Sequence, residues 1–358
     1  MFTVRPLHIV CACMIIGAVA VLQPEQLQYS GYTLNLTSTL IVLGLVSILA
    51  FAVLPLDNDL PVSSHQKAVV ITGCDSGFGH SLAQRLHSKG YTVYAACLFS
   101  QQDGAKELRD MESDRMHVIQ LDVTCDDQVE KAMEYVKSTL GDRELWALIN
   151  NAGIASFGEI EWTSVPLFKK IMDVNVIGVV RVTKAFLPLL RNIKGRVINV
   201  ASLAGRYTIP AFSAYSMSKV ACIAFSDGLR QEMSKFGIKV ITVEPGLYKT
   251  PIATNVSSDT ERRWASTPTD IKEVYGEEYF KEFMTVINSQ MQRARENVKE
   301  VVDLMVHAVT SSNPKVRYVP YWVTNVRSTI LMYLPSVLRD KLFRSYSVRC
   351  EPKCMHKD

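Results

Sequence analysis

Two apolar runs open the chain. Residues 7–22 are interrupted only by His8, and residues 34–56 become nearly continuous from Leu40 onward. The second run is long enough to cross a bilayer, and the first fits half of a hairpin. Arg5 precedes the first run, while the loop at 23–33 carries Glu25 and no basic residue. That asymmetry predicts a membrane anchor over residues 1–56, with everything after it on the cytosolic side. Past the anchor the pattern turns polar, and PLDNDLPVSSHQ carries two prolines. Residues 57–66 are therefore expected to be a linker.

From Lys67 the pattern alternates between short β-branched runs and longer amphipathic ones. Strands are predicted at 67–72, 91–97, 116–121, 145–149, 195–200, 238–243 and 316–323. Helices are predicted at 78–88, 126–140, 165–190 and 212–236. Alternation of this kind predicts an α/β fold, a doubly wound parallel sheet of Rossmann type with right-handed crossovers. Residues 255–295 break the rhythm and bring Trp264, Tyr275, Tyr279, Phe280 and Phe283 together. They are expected to form a lid over a substrate, within a catalytic domain at 67–325. An apolar helix at 328–342, interrupted by Pro335, is too short to span a bilayer. With the tail to residue 358 it is expected to close the pocket or lie on the membrane surface.

Composition narrows the function. The 358 residues carry a net charge of +4 with no basic run, which argues against nucleic acid as a partner. Eight cysteines form no CxxC pair, so neither a metal site nor a disulfide framework is indicated. Reduced thiols fit a cytosol-facing domain. Arg5 is the only Lys or Arg before Lys67, which argues against a mitochondrial presequence. The endoplasmic reticulum membrane is the favoured location.

Candidate chemistry sits in three places. The first strand runs into TGCDSGFG and then a helix, so Gly73, Gly77 and Gly79 lie in a strand–turn–helix context. Such a turn lets a pyrophosphate approach the backbone at a helix N-terminus. The spacing is GxxxGxG, not GxGxxG. The second strand ends at Cys97, where an NAD site usually offers an acid to the ribose. No Lys or Arg occurs at 73–79 or 94–100, and Asp75 would repel a 2′-phosphate. NAD is thereby favoured over NADP. The third strand leads to Asp122 and Val123, and Asp122 is read equally as an adenine contact or as a partner for the next helix. The fourth leads to Asn151, Ala152 and Gly153, small and amide residues suited to a ligand in the crevice. Finally, Tyr215 and Lys219 are four residues apart, which stacks them on one face of a helix. A cation beside a phenol favours the phenolate, and such a group exchanges protons with an alcohol or carbonyl. Ser202, thirteen residues upstream of Tyr215 at a strand end, is placed to hold the same oxygen.

Together TGCDSGFG, NNAG at 150–153, Asn175, Ser202, YSMSK at 215–219 and EPG at 244–246 resemble the short-chain dehydrogenase/reductase family over residues 67–320. FLPLL at 186–190 and AFSDGLRQEM at 224–233 are similar to one branch of it. That branch holds 17-beta-hydroxysteroid dehydrogenase type 2, retinol dehydrogenases and D-3-hydroxybutyrate dehydrogenase. The resemblance implies Tyr215 as general acid/base, Lys219 favouring its phenolate and binding the nicotinamide ribose, and Ser202 steadying the substrate oxygen. It implies that Asn175 holds a proton-relay water. Cofactor contacts are expected from Gly73, Asp75, Ser76, Gly77, Phe78 and Gly79, and from Cys97, Asp122, Val123, Asn151, Ala152 and Gly153. Pro245, Gly246 and Thr250 would lie near the nicotinamide, with Tyr215 and Lys219. The implied activity is NAD-dependent oxidation of a lipophilic secondary alcohol, a steroid or a retinoid, by a 17-beta-hydroxysteroid dehydrogenase-like enzyme. The alternative is D-3-hydroxybutyrate, whose carboxylate needs a cation such as Arg206. A non-catalytic membrane scaffold is the remote third. Family members often form homo-oligomers through the helices at 165–190 and 212–236.

Overall fold

The computed structural model describes residues 60–344 and 346–355. The anchor expected at 1–56 lies outside the described residues. Among those that are described, no helix is long and apolar enough to cross a membrane.

The short β-branched runs form strands β1 (Lys67–Thr72), β2 (Thr92–Cys97), β3 (Met116–Gln120), β4 (Glu144–Asn150), β5 (Arg196–Val200), β6 (Lys239–Val243) and β7 (Arg317–Tyr318). They join in the order β3-β2-β1-β4-β5-β6-β7, and every neighbouring pair is parallel. The register places Val70 of β1 between Tyr94 of β2 and Leu148 of β4. Strands buried on both faces need apolar residues at successive positions, which is why AVVI and VIN carry almost no polar side chain.

One face packs against α1 (Gly77–Ser88), α2 (Asp103–Arg109) and α9 (Lys299–Thr310). Val69, Ile71, Ile149 and Ile241 meet Leu82, Leu86 and Met305 there. The other face packs against α3 (Asp126–Thr139), α5 (Gly178–Asn192) and α6 (Ser213–Met233). Val70, Leu148 and Val197 meet Val136, Phe186 and Leu229. Chain direction across the sheet reverses between β1 and β4. Ligands of open α/β sheets bind in the crevice at the carboxyl ends of the strands beside such a reversal.

Four segments differ from expectation. The helix predicted at 165–190 is α4 (Val165–Met172), a π-helical turn at Asp173–Ile177, and α5. The strand predicted at 316–323 keeps two residues. Pro320 has no N–H to extend an edge ladder, Tyr321 adopts φ 61°, and α10 (Trp322–Tyr333) begins. A final helix, α11 (Ser336–Arg344), follows Pro335. The aromatic residues of 255–295, on α7 (Val256–Ser266) and α8 (Thr269–Gln292), do not form the inner surface of a lid. Trp264 stacks on Phe280 at 4.7 Å, and both pack with Tyr275, Tyr279 and Phe283 around Trp162, in a small core that also takes in Phe157 and Phe212. The described part of the expected linker is stitched to the domain. Pro61 bridges Ser311 in antiparallel sense, Val62 donates its N–H to the Thr310 carbonyl at 2.6 Å, and Ser312 donates to Leu60 at 3.0 Å.

Candidate active site

The crevice is built from the turn after β1. Gly73 has φ +69°, and a Cβ there would meet the Ala152 Cα at 2.8 Å. Gly79 packs closer still, since a Cβ would stand 2.3 Å from the Gly73 carbonyl oxygen and 2.4 Å from Asn151 Nδ2. Asn151 fixes the turn from the neighbouring strand. Its Nδ2 donates to the carbonyls of Thr72 and Gly73, both at 2.9 Å. α1 starts with no side-chain cap at Ser76 and no acid in its first turn. A helix start with uncapped N–H groups and a glycine floor suits a phosphate, so the residues present fit the pyrophosphate of a dinucleotide.

At the adenosine side, Asp75 reaches across to the end of β2. Its carboxylate accepts from the backbone N–H of Leu98 at 3.0 Å and of Phe99 at 2.7 Å. Cys97, expected in the crevice, is fully buried in the core beneath it. Burial, then the Asp75 charge, push its thiol up to about 12. The chain alternates sides at each strand residue, so the side chain at 97 points away from the ligand and the backbone at 98 and 99 faces Asp75. Asp122 and Val123 line the same side, a cavity of about 790 Å³. Asp122 Oδ1 accepts from the Thr124 N–H and hydroxyl at 2.9 and 2.7 Å. It serves the next turn while still bordering the crevice.

The adjoining cavity, about 550 Å³, is lined by the glycine turn, Asn151, Ala152, Gly153, Ser202, Tyr215, Lys219, Pro245, Gly246 and Thr250. α6 starts at Ser213, so Tyr215 and Lys219 lie in its first two turns on one face. Lys219 is buried, donates from Nζ to the Val200 carbonyl at 2.9 Å, and stands 5.6 Å from the Tyr215 ring centroid. Ser202 ends β5 in extended backbone, accepts from Ala204 N at 3.1 Å and donates to the Pro245 carbonyl at 3.3 Å. Thr250 lies over the glycine turn, its Cβ 3.7 Å from a Cβ built at Gly77. Phe157, Leu203, Ile209 and Phe212 make an apolar wall beside Tyr215.

Asn175 is not among the residues lining this cavity. Its Oδ1 accepts from Ile154 N at 2.9 Å, and its Nδ2 donates to the Ile154 carbonyl and to Ser218 Oγ at 2.8 and 2.9 Å. Both amide hydrogens are therefore taken. The side chain ties the loop beyond Gly153 to α6, which holds Tyr215. It sits in the π-helical turn, a distortion frequent at functional sites.

Two features were not legible beforehand. Glu244, fully buried at the end of β6, accepts from Arg206 Nε, from Thr242 Oγ1 at 2.9 Å and from Arg317 at 3.0 Å. Arg317 continues to Asp227 at 2.7 Å. An acid closing an apolar strand was the only signal for this chain of charges. Arg206 is thus turned away from the cavity and is not placed to receive a substrate carboxylate. The second is that Gln290, Arg293, Arg295 and Arg327, none singled out as site residues, do line it.

The chain is similar to known proteins. Residues 67–261 match the family model described as short chain dehydrogenase. The chain is 43% identical over 297 residues to D-beta-hydroxybutyrate dehydrogenase, mitochondrial, of Bos taurus, covering 79% of this chain and 85% of that protein. It is 41% identical over 309 residues to retinol dehydrogenase 16 of Rattus norvegicus, covering 85% and 96%. It is 43% identical over 285 residues to 17-beta-hydroxysteroid dehydrogenase type 6 of Bos taurus, covering 78% and 89%. Among solved structures, a short-chain dehydrogenase from Streptomyces avermitilis superposes with a TM-score of 0.62 at 25% identity, covering 78% of this chain and 96% of that one.

Proposed function

The chain belongs to the short chain dehydrogenase family, oxidoreductases acting on CH–OH groups, and on that premise we propose that it oxidises a secondary alcohol on a lipophilic body with NAD as acceptor. The observation that carries the reading is one cavity shared by the glycine turn, Ser202, Tyr215, Lys219 and an apolar wall. When bound, a dinucleotide would be held by the α1 N-terminus and the glycines, and it would accept the carbinol hydride. Ser202 Oγ turns from the Pro245 carbonyl to hold the carbinol oxygen. Tyr215 takes the hydroxyl proton as the carbon–hydrogen bond gives up its electron pair, and the ketone remains. Lys219, anchored on Val200, keeps a positive charge beside the phenol through that transfer. Asn175 acts as a positioning residue. The Asp75 carboxylate at the end of β2 favours a ribose hydroxyl over a 2′-phosphate.

The test is a panel of steroids, retinol and D-3-hydroxybutyrate, with NAD and with NADP, on membranes carrying the protein. NADH should form with a lipophilic alcohol. Tyr215→Phe should lower turnover by about 10²–10⁴-fold while NAD binding is kept. Undiminished turnover by that variant would favour the scaffold reading instead. A second reading, D-3-hydroxybutyrate as substrate, is supported by the 43% identity to the bovine enzyme of that name. The same panel separates the two.

A membrane setting is part of the proposal. The apolar runs at 7–22 and 34–56 support an anchor in the endoplasmic reticulum, with the catalytic domain cytosolic. Trp322, Ile330, Tyr333 and Val337, exposed on α10 and α11, support contact of these helices with a lipid surface. Retention in the pellet after alkaline carbonate washing checks the anchor. Ile177, Met217 and Val220, exposed around α5 and α6, support a homo-oligomer, and sedimentation velocity in detergent measures it.

A further inference from the structure

We propose that the alcohol carries an anionic group, a carboxylate or a sulfate ester, seated by Arg327 with Arg293 at the exposed side of the substrate cavity. The inference rests on reading this cavity as the site of alcohol oxidation.

Four cations line the cavity, Lys219, Arg293, Arg295 and Arg327, against one acid, Asp75, at the cofactor end. Two of the four are occupied. Lys219 holds the Val200 carbonyl. Arg295 grips Glu300 with both ends of its fork, at 2.9 and 2.5 Å, and stacks over Tyr321 at 4.3 Å. Arg293 and Arg327 differ. Among the described residues neither is within ion-pair distance of a carboxylate. The other arginines around the crevice each have one: Arg181 has Asp126, Arg206 has Glu244 and Arg317 has Asp227. Among the described residues Arg327 donates only to the Tyr346 hydroxyl, at 2.9 Å.

The two guanidiniums belong to the substrate side. Arg327 acts on Tyr207, whose phenol is pushed up by burial and drawn back by this cation. Tyr207 follows Ser202 on the loop that leads to Tyr215, and its ring stacks on Phe343 at 5.5 Å. Gln290 donates to the Tyr346 carbonyl at 3.3 Å, which places the end of α8 beside the same tyrosine. Arg293 lies three residues beyond Gln290, on the same face of that helix end. The phosphates of a dinucleotide, by contrast, belong with Ser76 and Gly77 at the start of α1.

Leu203, Ile209 and Phe212 give the same cavity an apolar wall. A ligand spanning both ends therefore has a carbinol at one end, an apolar body, and an anion at the other. The cavity of about 550 Å³ includes the glycine turn, so the cofactor and the substrate share it. The guanidinium fork matches carboxylate and sulfate oxygens in pairs.

The test uses the full chain in membranes with NAD and two matched pairs: 3-hydroxydecanoate with its methyl ester, and estradiol 3-sulfate with estradiol. Within at least one pair the anionic member should have the higher kcat/KM, by tenfold or more, through KM. Arg327→Gln should lower that ratio by about 10–100-fold, the range for a hydrogen bond to a charged group, and Arg327→Lys should recover part of it. An unchanged ratio in Arg327→Gln, or a wild-type protein that favours the neutral member in both pairs, overturns the anion seat. Should Arg327→Gln not accumulate, Arg293→Gln carries the same comparison. Calorimetric binding of each pair with NADH present separates this inference from the one beneath it. An anion that binds in an Arg327-dependent way without being oxidised leaves the seat standing and removes the dehydrogenase reading. Equal binding of both members removes the seat.

Discussion

Lys219 has one hydrogen bond and one ring beneath it. Its ammonium is fixed by the Val200 carbonyl, so the positive charge cannot swing away from Tyr215. Lys219→Met keeps the length and removes the charge. It should lower kcat by a factor comparable to Tyr215→Phe, about 10²–10⁴, and also weaken NAD, both read by steady-state kinetics. Gly79→Ala tests the other end of the crevice. The methyl would collide with the Gly73 carbonyl at 2.3 Å and with Asn151 Nδ2 at 2.4 Å. Overpacking of this kind costs about 1–3 kcal/mol, visible in a melting curve, and the widened turn should raise the NAD dissociation constant. The glycines and the Tyr215–Lys219 pair were legible because their signal is local: a turn and a helical spacing. Cys97, Asn175 and Arg206 were not. Asn175 and Arg206 are directed by partners far along the chain, Ile154 and Glu244, and Cys97 by which face of its strand is buried.

Among the elements, the end of β6 concentrates the most charge. Glu244 is fully buried between Arg206 and Arg317, with Thr242 donating as well. Removing one partner of a buried ion pair strands the other, at about 3–5 kcal/mol. Glu244→Gln should lose an amount of that order in denaturant titration. Because Arg206 follows Leu203 on the Ser202 loop, the variant should lower kcat as well. The aromatic core of the α7–α8 insertion does not itself line the substrate cavity, although Gln290 near the end of α8 does. Trp264 is buried against Phe280 and Trp162. Trp264→Ala should destabilise by about 3–5 kcal/mol, measured by the same titration. A lid contact would instead have shown itself first in KM. Aromatic content alone marked the segment as apolar, and pairing among its own rings decided what that surface covers. The π-helical turn was equally hidden, since the weak helix formers of DVNVI do not by themselves mark such a turn.

Across the whole molecule, the parallel order and the two-faced core followed from the alternation of strands and helices, and the crevice followed from where the strand order reverses. The edge was harder to read. VRYVPYWV looks like a strand, yet Pro320 and the positive φ of Tyr321 turn it into a helix after two paired residues. A fold that gathers both halves of a cleft around one ligand gains stability when the ligand is present. NAD at a hundred times its dissociation constant should add about 2.7 kcal/mol, raising the melting temperature, and Gly79→Ala should blunt that gain.

The stitch between Leu60–Val62 and Thr310–Ser312 bears on where the chain can be cut. Trimming back to Lys67, where the sheet begins, would leave the Thr310 carbonyl and the Ser312 N–H just past α9 without these partners. A fragment starting near residue 58 keeps them. It should melt higher than one starting at 67, and it is the one to carry into crystallisation.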